Sequence, residues 1–362
     1  MDRFVSSRDF NGAVLVARDG LVLFQKAYGL ANREYDVPNK LQTKFRIGSM
    51  TKQFTAMGVM LLVERGKVRL SDRVCNYIDN CPNAWSGITL RHLLSHTSGI
   101  PDFTDFPDDD QFERLPTTPL AAIARFRDKP LDFPPGQQFR YSNSGYVLLG
   151  YIIERASGEK YEDFLRTNIY EPLGMLDSGY DHPWMILKNR ANGYARKDGQ
   201  IVNATFMEMD APIGAGSMYS TVGDFLRWDQ ALYTEKLVSR KSLEQLFTPF
   251  EGPYPPNQPL VRGLYSRHRY GYGWFITKWF GRDLVWHGGL INGFSSAILR
   301  YREDRTLVVV LENMEPDLEG VTDLDLKMEP MAVANGLSAI AFGLPPDSSP
   351  VSATTSEAIH KK

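Results

Sequence analysis

A serine directly behind a glycine, with a lysine one helical turn further on, is the first arrangement in this chain that could do chemistry: Gly48-Ser49-Met50-Thr51-Lys52. A serine at the start of a helix has an ordinary role as a cap. The same position also offers free backbone N–H groups and the positive end of the helix dipole, which suit an oxyanion developing on an attacked carbonyl. Lys52 falls on the same face as Ser49, with the two Cβ atoms ~5–6 Å apart. A buried lysine is held toward its neutral form and can then take a serine's proton. The pattern alone decides little, because Ser157-Gly158-Glu159-Lys160 repeats it.

Two further stretches add to it. Tyr141-Ser142-Asn143 stands just before a helical run that begins near Ser144. It reads either as a cap with a packed tyrosine or as a pair of polar groups aimed at a site. His287-Gly288-Gly289 ends an apolar strand. It is either a turn or a strand edge that a substrate backbone can approach closely.

In this order the three stretches resemble the serine β-lactamase and penicillin-binding protein superfamily, whose signature is Ser-x-x-Lys, then Ser-x-Asn or Tyr-x-Asn, then a Lys-Thr-Gly strand. The Tyr-x-Asn form is similar to that of class C β-lactamases, D-alanyl-D-alanine peptidases, D-aminopeptidases and β-lactamase-like esterases. The stretches GAVLVARDG, HLLSHTSGIP, EPLGM and GAGSMYSTVGDFLRW add to the likeness, which covers roughly residues 10 to 313. The resemblance implies an acyl-enzyme on Ser49, with Lys52 and Tyr141 sharing the proton transfers. Asn143 would hold the substrate amide and steady Lys52, and the backbone N–H groups of Ser49 and Leu290 would form the oxyanion hole. His287, Gly288 and Gly289 would form the substrate-binding strand. No cofactor is implied. The substrate would be a small molecule or peptide with an ester or amide bond.

One departure bears on the substrate. His287-Gly288-Gly289 stands where β-lactamases usually carry Lys-Thr-Gly. A histidine is mostly neutral above pH 7, and glycine has no side-chain donor, so a β-lactam carboxylate should be held weakly. The expectation is therefore an esterase or peptidase rather than a true β-lactamase. The alternative is a penicillin-binding sensor that is acylated once, or a binding protein with the same fold.

These residues need elements to hold them. Two β-rich runs, GAVLVAR and LVLFQKAYG, meet at Asp19-Gly20, a strong hairpin signal. A helix is expected from about Ser49 to Arg65, closed by Gly66. Helical runs broken by Pro and Gly fill the middle, including one opened by Thr221 and Asp224 at capping-box spacing. Residues 249–264 read as a Pro-rich loop. Strands return in YGYGWFITKW, DLVWHGG, GFSSAILRY and RTLVVVLEN, before a last helix near 328–342. The expected fold is α+β and β-lactamase-like: an antiparallel sheet built from N- and C-terminal strands and flanked by helices, with a mostly helical lobe. Residues 1–74 and 211–344 would form the sheet domain and 75–210 the helical one, with the site between them. Residues 345–362 would be a disordered tail.

The chain has 362 residues, and 43% of them are hydrophobic, enough for a sizeable core. Its net charge of −2 gives no basic field for nucleic acid. No apolar run is long enough to span a membrane. A periplasmic or secreted location, with the export signal absent from this chain, is expected; a cytoplasmic one is open. Cys75 and Cys81 share a polar loop and are read as a disulfide or as two buried thiols. Two other activities fit less well. His92 and His96 lie on one helical face, but no Glu follows His92 as a zincin would require, so no metal is expected. An α/β-hydrolase would place its oxyanion glycines well before the nucleophile elbow, whereas Gly288-Gly289 and Ser295 are only a few residues apart. The acidic run Asp102–Asp110 reads as a solvated loop or as a cleft wall favouring cations.

Overall fold

The computed structural model describes residues 1–253, 269–316 and 329–348. Most of the Pro-rich loop, and the expected tail from 349 onward, lie outside these residues. Strands β1 (Gly12–Arg18) and β2 (Leu21–Tyr28) form the expected hairpin. Asp19 and Gly20 turn it with φ of 51° and 76°, the pair of positive values that a two-residue turn between right-twisted strands needs. The C-terminal strands are β3 (Arg269–Tyr270), β4 (Phe275–Trp279), β5 (Arg282–Ile291), β6 (Phe294–Tyr301) and β7 (Thr306–Glu312). Together they make one antiparallel sheet in the order β3-β4-β5-β6-β7-β1-β2, so the two ends of the chain meet at β7 and β1. Val14 pairs with Val310, and Val310 in turn with Ala297.

Both faces of this sheet are covered, which is why β6 and β7 are buried along their whole length and why β7 reads as a continuous apolar run rather than an alternating one. Helices α1 (Thr51–Glu64), α2 (Leu90–Leu94), α3 (Asn143–Ser157) and α4 (Val222–Ala231) lie on one side. Leu15, Ile298, Val309 and Leu311 share a core with Phe54, Met57, Leu149 and Phe225 from those helices. The opposite face packs Val14, Val16, Leu299 and Val308 against α5 (Glu329–Ala341) and the short helix Asp2–Ser6. That first core runs without a break from the sheet into α3. Strand β2 is the open edge: Leu21 is 72% exposed, and Lys26 sits on the strand, a charge that discourages pairing with another sheet.

Local signals explain the helix ends. Gly66, with φ +64°, follows the last residue of the α1 cap, and Gly158 ends α3 in the left-handed region. The Thr221 side chain accepts from the Asp224 N–H at the start of α4. At α2, Thr89 and His92 cap each other's backbone, and His96 lies beyond the helix with φ +55°. The two histidines therefore have structural partners. Among the described residues, no cluster of His, Cys, Asp and Glu could hold a metal ion, and no helix is long and apolar enough to cross a membrane. Cys75 and Cys81 are joined as a disulfide, with their Cα atoms 5.2 Å apart.

Candidate active site

Ser49 is not a helix cap. It sits in a 3-10 turn, Gly48–Met50, that runs straight into α1, and neither the turn nor the helix has a side-chain cap. The turn is pressed against β5. A Cβ on Gly48 would lie 2.8 Å from the Leu290 nitrogen, and one on Gly289 would lie 2.0 Å from the Ile47 carbonyl oxygen. Ser296, on the neighbouring strand, donates to that same oxygen at 3.0 Å. Arg46 ties the preceding residues to the buried Asp181 carboxylate at 2.6 Å.

His287-Gly288-Gly289 accordingly does not end the strand or form a turn. Strand β5 continues to Ile291, and the chain reverses at Asn292-Gly293. The glycines serve close approach: with no side chain at Gly289, the segment carrying Ser49 can lie against the strand. Gly289→Ala is expected to destabilise the fold by about 1–3 kcal/mol through overpacking and to misplace Ser49. Gly288→Ala, whose added methyl would sit 3.6 Å from its nearest neighbour, should be tolerated. Denaturant melts of the two variants compare these costs directly.

Lys52 is fully buried, and its amine reaches three acceptors: Ser49 Oγ at 2.9 Å, Asn143 Oδ1 at 2.8 Å and the Ala215 carbonyl at 2.9 Å. Burial lowers its pKa to about 7, against the Asp102 carboxylate, which raises it. Asn143 is the first residue of α3, and its amide is fixed from behind. Its Nδ2 donates to Asp102 Oδ2 at 3.0 Å and to Thr104 Oγ1 at 3.3 Å, which turns Oδ1 toward the lysine. Burial raises the Asp102 carboxyl above its ordinary value.

Tyr141 bonds Ser49 from the other side, and burial drives its phenol well above its ordinary pKa, so the hydroxyl keeps its proton. Its ring packs against His96 at a tilt of 31°, with centroids 4.3 Å apart, and lies nearly parallel to Phe275. His96 in turn accepts the Ser142 N–H on Nδ1 at 3.1 Å, pinning the backbone between Tyr141 and Asn143.

His287 is 2% exposed. Its Nδ1 lies 2.6 Å from the Gly288 carbonyl, which can only accept, so Nδ1 carries the hydrogen and Nε2 accepts from the Tyr270 hydroxyl at 3.1 Å. Burial, with Lys52 nearby, lowers its pKa to about 3, and the ring is neutral.

Ser49, Tyr141, Asn143, His287, Gly288, Gly289 and Leu290 all line one cleft of about 370 Å³, with Lys52 beneath its floor. Loop residues Phe103, Thr104 and Glu113, and Met207 and Pro212, also line it. Trp286 lines the cleft, whereas Trp184 is 77% exposed and stacks on His182 elsewhere. Ser157 is remote in function, its hydroxyl bonded to the Ile153 carbonyl at the end of α3.

Asp102, Thr104, His96 and Ser296 were not singled out as site residues by sequence. Asp102 was seen only as part of an acidic run, and nothing in that run distinguishes the one carboxylate that turns inward.

Comparison with known proteins agrees with the fold. The model of the Beta-lactamase family matches residues 1–329. Penicillin-binding protein 4* of Bacillus subtilis is 31% identical over 354 residues, which cover 93% of this chain and 74% of that protein. The octameric penicillin-binding protein homologue from Pyrococcus abyssi superposes with a TM-score of 0.80 at 31% identity, covering 96% of this chain and 77% of that one. The D-amino acid amidase from Ochrobactrum anthropi SV3, solved with L-phenylalanine amide, gives a TM-score of 0.78 at 27% identity, covering 94% and 96%. By sequence and by fold, the chain belongs to the Beta-lactamase family.

Proposed function

We propose that this chain hydrolyses ester and amide bonds through an acyl-enzyme on Ser49. The observation that carries the reading is the buried Lys52 amine, 2.9 Å from Ser49 Oγ and lowered toward neutrality at ordinary pH. In its neutral form the amine can keep its two N–H bonds to Asn143 Oδ1 and Ala215 O, which leaves the lone pair facing the serine hydroxyl. As Oγ attacks the substrate carbonyl carbon, Lys52 takes the serine's proton. The carbonyl oxygen, now negative, is held by the N–H groups of Ser49 and Leu290. Tyr141, a neutral phenol bonded to Ser49, passes a proton to the departing oxygen or nitrogen and is reprotonated by Lys52, which thereby gives up the serine's proton and is neutral again. Water then attacks the acyl carbon, its proton passing through Tyr141 to Lys52, and Lys52 returns that proton to Ser49 Oγ as the C–O bond to Ser49 breaks. Asn143 holds the lysine and meets the substrate's amide.

The same reading favours esters and small peptides over true β-lactams. His287 is neutral, and no Arg or Lys side chain lines the cleft among the described residues, while Asp109, Glu113 and Glu315 do. Among the described residues that line the cleft, a carboxylate-bearing substrate meets no Arg or Lys side chain. The D-amino acid amidase among the relatives supports amide substrates. The sensor alternative gains no support from the geometry, because the groups for deacylation stand beside the nucleophile. Residues 1–74 with 211–344, and 75–210, would be the sheet and helical lobes. The disulfide supports a periplasmic or secreted setting.

Parallel assays with a neutral p-nitrophenyl ester and a chromogenic β-lactam test the preference. Ester turnover should dominate. His287→Lys should raise the β-lactam-to-ester ratio of kcat/KM at pH 8 by about tenfold, the worth of one charge-assisted hydrogen bond. An unchanged ratio would mean that charge at this strand does not set the preference.

A further inference from the structure

A second cavity, of about 420 Å³, lies between α4 with the segment that follows it and the outer ends of β5 and β6. None of its lining residues belongs to the candidate active site. Its wall includes Arg300, Arg302, Arg305 and Tyr233.

Arg300 is the unusual member. It is 1% exposed, a charge placed inside the protein. Asp229 takes its Nε at 2.5 Å, and the Asp229 carbonyl takes Nη2 at 3.2 Å. Nη1 is buried and has no acceptor among the described residues, and neither does the buried hydroxyl of Tyr233. The Arg300 guanidinium carbon lies 4.9 Å from the centre of the Tyr233 ring, and both residues line the cavity. Leaving a buried donor unsatisfied is costly, and two such residues lining one cavity call for an acceptor. Two more guanidiniums stand above them. Arg305 lies over the Tyr233 ring and pairs with Asp19 at 2.9 Å. Arg302 lies over Phe247 and has no carboxylate partner among the described residues.

We propose that this cavity binds a small oxyanion, a phosphate or a carboxylate, through Arg300 Nη1, the Tyr233 hydroxyl and Arg302. The acidic residues on the wall set the size. Glu235, Glu244 and Glu303 are exposed at the rim, and Asp283 is paired with Lys278. Rim carboxylates screened by solvent leave the buried donors available to one anionic group but repel a long polyanion. The ligand is therefore a single phosphate or carboxylate group, not nucleic acid or another polyanionic chain.

Calorimetric titration of the full chain with inorganic phosphate and, separately, with acetate in low-chloride buffer tests this, with long-chain polyphosphate as a third arm. Saturable binding of one anion per chain is expected, with a dissociation constant on the order of 1 mM. The phosphate and acetate arms tell a tetrahedral ligand from a planar one. Arg300 is not the residue to change, since its loss leaves Asp229 buried without a countercharge. Tyr233→Phe keeps the ring and removes only the hydroxyl, and Arg302→Ala removes a surface charge. Each should weaken binding by about tenfold while ester hydrolysis stays at the wild-type rate. Absence of binding by both phosphate and acetate, or binding unchanged in both variants, overturns the proposal, as does polyphosphate binding more tightly than phosphate.

Discussion

Lys52→Ala is expected to lower kcat/KM for an activated ester by about 10⁴-fold, the upper range for loss of a positioned general base. The magnitude follows from how little else can do the task. Tyr141 keeps its proton because burial holds its phenol neutral, and His287 points its accepting nitrogen at Tyr270 rather than at Ser49. Lys52→Arg should fare no better, since a guanidinium does not deprotonate in this range. The wild-type pH profile carries the same information. The base must be neutral to act, and its pKa is lowered, so activity should be low in acid and rise through about pH 7. A rise centred near pH 10 would mean that the amine is not desolvated. In Lys52→Ala that rising limb should vanish, and residual activity should be flat with pH.

The second large effect is expected at Tyr141. Tyr141→Phe retains the ring that packs between His96 and Phe275 and removes only the hydroxyl that bonds Ser49. Turnover should fall by about 10³-fold, within the range for a proton-transfer group. The fall should be divided unevenly. An activated leaving group such as nitrophenolate needs no proton to depart, so acylation by a p-nitrophenyl ester should suffer less than deacylation, where water must be activated. The variant should therefore show a burst of nitrophenol and accumulate acyl-enzyme under conditions in which the wild type does not. Rapid-quench kinetics on the two proteins checks this. A loss confined to the burst itself would assign Tyr141 to acylation alone.

Much of this arrangement was legible in the sequence, for identifiable reasons. The Asp19-Gly20 hairpin, the Gly66 and Gly158 stops and the Thr221 cap are local, and short-range chemistry fixes them. The terminal-strand sheet followed from apolar runs such as Thr306–Glu312, which have to be covered on both faces. Ser49, Lys52, Tyr141, Asn143 and His287-Gly288-Gly289 were found as motifs, and the fold brings them together at one cleft, with Lys52 beneath its floor. What stayed hidden depends on long-range contact. Asp102 is one aspartate in a run of them, and only the path of its loop puts it behind Asn143. Ser296 looks like any strand serine until its hydroxyl is seen to hold the Ile47 carbonyl. The sequence places the end of β5 at Gly289, because a Gly-Gly pair signals a turn locally, and the structure carries the strand two residues further, to Ile291. Here the pair answers a backbone from a distant part of the chain, the Ile47 carbonyl. Arg300 also gave no signal, since an arginine in an apolar strand shows neither its buried carboxylate partner nor its unused donor.

The most direct test of the central claim is intact-mass spectrometry of the wild type and of Ser49→Ala, each mixed with a p-nitrophenyl ester and quenched in acid during turnover. The expected result is a covalent adduct of one acyl group on the wild type and none on Ser49→Ala, with nitrophenol release lost in the variant. An adduct of the same mass on Ser49→Ala, or undiminished ester turnover without Ser49, would contradict the acyl-enzyme mechanism proposed for this cleft.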